Sequence, residues 1–434
     1  MAERENMMKQ CKWLILFSTW LLIMLVLNGC TFSVEVLPTS SSLLPTSTHT
    51  SVPATFTTVA PTSVVSFPTP TLISIRLDTL SLLEIFTSFG EGEFTRSVAF
   101  TFDGKVLASA GGNNEDFAIR LWDVAGGQSI LKLDGHTGIV WGLAFSPDGQ
   151  MLASVSSDAT AKIWDWRNGT LIQSLDFPAE VVSVSFSPDG RILAVGGVDE
   201  PQGDIQNAAI WTFSVSSWQP LLKFPEYWNI EAMVYSPDGR WLIGGGTSRN
   251  VKVWRTGDGT SVFILSHAHQ VLDAAVSPDG RWLIGGGTSR NVKVWRTGDG
   301  TSVFTLSHAH QVLDAAVSPD GSIVATATCQ VTVNEECTEG GVWLWNLSNG
   351  RLLNKLRGFP DVVESVSFSV DGSSLIAASR NGTMRVYATS DFQQQFEATP
   401  PGGNGIMTPS PDGGLLATGG NNGVVHLWKV VYRP

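Results

Sequence analysis

Three groups of side chains in this 434-residue sequence have types and spacings that can do chemistry. The first is a pair of His-x-His segments, His267/His269 and His308/His310. Residues two apart share one face of a strand, which is a usable metal-ligand spacing. Yet His267 and His308 sit where a Gly-His turn places His136, and the segment occurs twice only because a longer stretch does, so a structural role is expected. The second group is Cys329 and Cys337, with seven residues between them. This even pair closes a disulfide in an oxidising compartment, or else remains as two buried thiols. The third is acidic: Glu115, Asp116, Asp199, Glu200, Asp204, Glu335, Glu336 and Glu339 fall on the insertions GGNNED (111–116), VDEPQGDIQN (198–207) and CQVTVNEECTEG (329–340), which hold no Lys or Arg. Such loops either attract a cationic partner or a divalent metal at the surface, or are solvated loops of an acidic protein.

Catalytic signatures are missing. There is no Gly-x-Ser-x-Gly elbow, phosphate-cradling loop or His-Glu-x-x-His, so the chain is not read as an enzyme and neither metal nor cofactor is expected. Nucleic acid is disfavoured as a partner, because 27 basic residues face 39 acidic ones and the net charge is −12. Trp141, Trp166, Trp218 and Trp228 lie nearer loops than strand ends and are candidates for binding surface.

The elements that must position these groups are repeats. A turn tetrapeptide, most often Ser-Pro-Asp-Gly, begins at 101, 146, 187, 236, 277, 318, 369 and 410. A strand-like run precedes each copy (VWGLAF, VVSVSF), and a second follows it (MLASVS, RILAVG). A third ends in Trp or Tyr (Trp164, Trp254, Trp295, Trp345, Tyr387, Trp428), and a fourth completes most units. One such four-stranded sheet is not stable alone, so the units must stack, and radial closure leaves only protected edges. These units resemble WD40 repeats, which implies an all-β fold, a β-propeller over residues 80–434. The resemblance also implies a hydrogen-bonded set within a blade, matched here by His136, Ser156, Asp158 and Trp164. Elsewhere the set decays: Ser248 and Ser289 stand at the Asp position, as do Asn381 and Asn422, and Phe359 replaces the turn His.

The last unit stops after its third strand at Trp428, while a strand-like run at 81–89 precedes the first. Pairing the two predicts an eight-bladed propeller. Residues 236–276 and 277–317 are identical over 41 positions except Ile264 against Thr305, the mark either of a recent in-frame duplication, which points to a seven-bladed parent, or of an assembly error in the sequence itself.

Ahead of the repeats, residues 1–12 carry Arg4, Lys9 and Lys12, and an apolar run extends from Trp13 to Leu27. This is the layout of an export signal, rather short for a membrane-spanning helix. Leu27-Asn28-Gly29-Cys30 resembles the lipobox of bacterial lipoproteins, although Asn28 departs from the usual second residue. The resemblance implies a signal peptide over 1–29 and lipid on Cys30; an uncleaved signal anchor is the alternative. Between Pro38 and Thr71, 23 of 34 residues are Ser, Thr or Pro and none is charged, so 30–79 is expected to be a disordered linker. The processed chain would hold 24 basic and 37 acidic residues, a formal charge of −13.

Taken together these features predict a lipid-anchored, extracytoplasmic propeller. It would be monomeric and non-catalytic, and would bind a protein or peptide on its loop-bearing face. A structural subunit of an envelope assembly complex, or an enzyme with a site in the central channel, are the alternatives.

Overall fold

The Ser-Pro-Asp-Gly segments at 146, 187, 236, 277 and 318 each form a tight reversal built from their own side chains. In the second copy the Ser146 hydroxyl donates to Asp148 Oδ1, and the Met151 amide donates back to Ser146 Oγ at 2.9 Å. The glycine must take the left-handed backbone region, and Gly149 does so at φ 66°. The turn therefore fixes the register of the two strands it joins, here Phe145 against Leu152.

The computed structural model describes residues 79–87 and 94–431, with short breaks at 113–115, 203–204, 228–229, 247–249, 267–270, 288–289, 334–335, 400–405, 412–413 and 421–422. The expected signal peptide, Cys30 and the linker through residue 78 lie outside the described residues. So do Glu115, Asp204, Glu335, His267, His269 and Trp228.

The described strands form eight four-stranded antiparallel sheets. Numbered by their innermost strands, blades 1 to 8 begin with Thr95–Phe100, Val140–Phe145, Val181–Phe186, Ile230–Tyr235, Val271–Val276, Val312–Val317, Val363–Phe368 and Ile406–Pro409. Each innermost strand packs beside that of the next blade, and blade 8 meets both blade 7 and blade 1, which closes the ring. Adjacent inner strands are also latched by side chains. The Leu143 amide of blade 2 donates to Ser97 Oγ of blade 1, and the Val366 amide of blade 7 to Asp314 of blade 6.

Closure uses the first strand of the chain. Thr79–Thr87 is the outer strand of blade 8 and pairs with Val424–Val431, Thr79 opposite Val431 and Thr87 opposite Val424. The eight-blade expectation holds, with this strand two residues earlier than its apolar run implied. The core lies between blades: Leu121, Leu133 and Ala108 of blade 1 pack on Trp164 and Leu152 of blade 2.

The structure corrects two expectations. The insertions 198–207 and 329–340 are not irregular loops. Ile192–Gln202 and Ile205–Ser214 in blade 3, and Ile323–Val333 and Glu336–Asn346 in blade 6, remain paired almost to their tips. Each second strand runs five residues past its last pairing with the innermost strand, at Gly197 and Thr328, a projection of about 17 Å. Backbone pairing satisfies these segments despite their polar, Pro- and Gly-containing sequence.

The other correction concerns the blade network. Ser154, not Ser156, joins His136 to Trp164: His136 Nε2 is 2.8 Å from Ser154 Oγ, and the Trp164 indole N–H donates to the same oxygen at 2.9 Å. Ser156 is two residues further along the same strand face. There it reaches only the Gly138 carbonyl and the Asp158 amide.

Candidate functional site

The Ser-Pro-Asp-Gly reversals share one face of the ring. The opposite, loop-bearing face receives the connections between second and third strands and those from blade to blade. Sites on such a face are only as well placed as the blades beneath them, and blade 2 shows how the placement is achieved. His136 Nδ1–H donates to Asp158 Oδ2 at 2.8 Å, and Asp158 also accepts from the Thr137 amide and the Thr160 hydroxyl. Burial alone would raise the Asp158 carboxyl, but these bonds from His136, Thr160 and Thr137 outweigh it and hold it well below the usual carboxylate range.

Trp-to-hydroxyl bonds recur in blades 1, 6 and 8, where Trp122, Trp345 and Trp428 donate to Ser109, Thr326 and Thr418. In blades 4 and 5 the equivalent positions are Gly244 and Gly285. A Cβ there would meet Trp254 and Trp295 at 3.0 and 2.9 Å, so the indoles occupy the space of the missing side chains. Phe359, at the turn-His position of blade 7, is fully buried beside Tyr387.

His308 is a blade residue too. Its Nε2 lies 2.8 Å from Thr326 Oγ1, its Nδ1–H donates to the Leu306 carbonyl, and Trp343 and Trp345 flank its ring. Burial lowers its pKa, the Leu306 carbonyl partly opposes this, and Lys355 adds to the lowering, so the ring titrates at about 4. Between pH 6.5 and about 4 the unfolded chain gains a proton that the folded chain does not. Stability should therefore fall as pH drops through that window, by up to about 3 kcal/mol. Urea midpoints across that range should show the fall, and His308→Leu should flatten it. Among the described residues no group of His, Cys, Asp and Glu is arranged to hold a metal ion, and His310 is only half-buried at the surface.

Three of the described acidic candidates have in-chain partners. Asp116 accepts the Ala118 amide and pairs with Arg120 and Lys132, so it caps its own turn as Asp158 does. Asp199 binds Lys223 at 2.7 Å, and Glu339 accepts the Gly358 amide at 3.2 Å. Glu200 and Glu336 are placed by backbone pairing on the two hairpins. Cys329 and Cys337 face each other across the blade 6 hairpin with Cα atoms 5.8 Å apart and are joined as a disulfide. Cys329 is buried with Leu313 and Val362.

Of the loop-side tryptophans, Trp166 is buried, donates to the Gly149 carbonyl and carries Arg167 over its ring. Trp218 packs on the core of blades 2 and 3. Trp141 differs. It lies near the loop-face end of the blade 2 inner strand, one residue from Val140, and Arg96 occupies the matching place in blade 1. The Arg96 guanidinium sits 5.2 Å from the ring centroids of both Phe94 and Trp141. Its Nε has no hydrogen-bond partner, nor has the Trp141 indole N–H, and no carboxylate among the described residues pairs with it. Cation–π contact with two rings holds the cation while leaving its donors unspent.

Comparison with known proteins accounts for the scaffold. The family described as WD domain, G-beta repeat matches residues 85–123, 127–165, 169–200, 218–255, 259–296, 350–388 and 403–429, more than half of the chain. The chain belongs to the WD40 family. The stretch 297–349, which holds most of blade 6 and its hairpin, falls between matches. The WD40 chain is 34% identical over 115 residues to the periodic tryptophan protein 2 homolog of Schizosaccharomyces pombe, covering 26% of this chain and 13% of that protein. It is 26% identical over 180 residues to protein groucho of Drosophila melanogaster, covering 42% and 23%. With small ribosomal subunit protein RACK1y of Oryza sativa it is 29% identical over 147 residues, covering 32% and 41%. It thus spans less than half the length of each. The crystal structure of the computationally designed Ika8 protein superposes with a TM-score of 0.67 at 20% identity, covering 80% of this chain and 99% of that one, a likeness of fold. A WD40 propeller is a protein-interaction scaffold type.

Proposed function

We propose that this WD40 propeller is a non-catalytic platform that docks a protein partner on its loop face, with Arg96 as the anchor. The observation that carries this reading is the guanidinium held between Phe94 and Trp141, with no carboxylate among the described residues paired to it. A half-buried Arg beside a Trp is the composition of an interface hot spot, and a partner carboxylate reaching it would form a charge-assisted bond in a partly desolvated setting. The hairpins of blades 3 and 6 rise from the same face and widen the surface offered.

The platform is proposed to stand outside a bacterial cell, tethered through lipid on Cys30 and the Ser/Thr/Pro-rich segment. The disulfide between Cys329 and Cys337 supports this placement, since such bonds persist in oxidising compartments.

Affinity capture should compare the full chain with Arg96→Ala and Trp141→Ala. Each substitution is expected to weaken capture of the principal partner at least tenfold, and unchanged recovery would refute the anchor. Metabolic palmitate labelling of the wild type against Cys30→Ala tests the tether separately. Label retained by the variant would rule it out.

A further inference from the structure

The turn-bearing face is not uniform around the ring. In blades 2, 3 and 6 the turn proline lies over the turn glycine of the next blade: a Cβ at Gly190, Gly239 or Gly372 would meet Pro147, Pro188 or Pro319 at 3.6, 3.6 or 3.4 Å. Blades 1 and 7 carry Phe102 and Val370 in place of that proline. Phe102 does not cover its neighbour, since nothing lies within 4 Å of a Cβ at Gly149. It stands 75% exposed, the most of any large apolar side chain among the described residues, and Val370 is 39% exposed.

These two residues flank the place where the chain joins the ring. Blade 8 lies between blades 7 and 1. Its third strand runs from Val424 toward the turn-bearing face, passes Leu415 beside the turn at Lys429 and ends at Val431. Thr79 pairs with Val431, so the chain reaches the outer edge of blade 8 from the turn-bearing side. Everything before Thr79, with Cys30 and the apolar run from Trp13 to Leu27, is therefore tied to the ring at this sector.

Area and charge select what covers the two side chains. A Phe and a Val together offer at most about 350 Å², well under the roughly 800 Å² per partner of a stable protein interface, and a whole blade separates them. A lipid surface needs no matching shape. Lys105 pairs with Asp103 at 3.5 Å beside Phe102, so this tip brings no net charge with it. The exposed arginines Arg191, Arg240 and Arg281 stand in blades 3 to 5, across the ring. The 48 residues between Cys30 and Thr79 span at most about 170 Å, which makes a second contact with the same membrane intramolecular, so that two side chains suffice to set an orientation.

We propose that the sector of the turn-bearing face formed by blades 7, 8 and 1 rests on the membrane, with Phe102 and Val370 entering its apolar boundary and the loop face turned away from it. The placement rests on the reading that the N-terminal part holds the chain to a membrane.

The test puts p-benzoylphenylalanine at position 102, at position 370 or at the exposed loop-face residue Thr137 of the full chain. Each protein is reconstituted in vesicles of phosphatidylglycerol and tritiated phosphatidylethanolamine and irradiated. Positions 102 and 370 should capture about tenfold more labelled lipid than 137, and Phe102→Ser should cut capture at 370 severalfold. Equal capture at all three positions would overturn the proposal, as would crosslinks from 102 to a second copy or to residues 1–78 in place of lipid. Palmitate labelling of the cells that supply the protein separates the two readings. Palmitate on Cys30 without lipid capture at 102 sinks this placement alone, whereas lipid capture without palmitate upholds it and assigns the anchor to the apolar run. Absence of both overturns both. The three side chains are exposed, and a thermal melt verifies that the variants fold.

Discussion

Replacing Trp164 with alanine should destabilise the propeller by about 4 kcal/mol, the usual cost of emptying a buried indole site. The ring is 2% exposed and belongs to the cluster that joins blade 2 to Leu121 and Leu133 of blade 1, so the cavity would open between two sheets. The loss would also remove the donor to Ser154 and the edge contact that the indole makes with the His136 ring. Denaturant midpoints of the two proteins measure the difference. A change below about 1 kcal/mol would mean that blade packing does not depend on the indole. Ser156→Ala should cost far less than Ser154→Ala, because only the latter breaks the His-to-Trp bridge.

The second large effect concerns closure. A chain beginning at residue 90 lacks Thr79–Thr87 and leaves Val424–Val431 with an unpaired edge on an otherwise complete ring. Such an edge is a template for pairing with another copy. This truncation should lower the melting temperature markedly and raise the mass of the species seen in light scattering above that of the longer chain. A chain beginning at residue 76 should do neither. Equal behaviour of the two would show that blade 8 holds with three strands.

Which features could be read from residues alone follows from the range of the interactions that make them. Blade number was legible because the turn is local: Ser, Asp and Gly within four residues fix each reversal, and counting reversals counts sheets. The fourth strand of blade 8 was legible because the count at the C-terminus left one strand owing and an apolar run near 81–89 could supply it. The sequence offers Ser156 in the place that Ser154 takes because both point to the same side of one strand. Only the register against Thr160–Asp165 decides which lies under the indole. Pro201, Gly203 and Asn334 interrupt strand periodicity in the sequence, which makes these segments read as loops, whereas the strands on either side pair as far as Gln202 opposite Ile205 and Val333 opposite Glu336. Arg96 carried no signal. Its meaning comes from Trp141, which lies 45 positions away and becomes a neighbour only when blades 1 and 2 pack.

The outer strand of blade 8 has a consequence for how the ring assembles. Thr79 meets Val431 across 352 intervening steps of chain, whereas neighbouring reversals in the duplicated region are 41 apart. By polymer statistics, bringing those ends together costs about 2 kcal/mol more entropy than closing one repeat. A partner so distant cannot reward the contact until nearly everything between them has folded. During synthesis, N-terminus first, Thr79–Thr87 must wait without its mate while seven sheets form. That interval is the window in which a holding chaperone would be most needed, and in which two nascent copies would most readily trade strands.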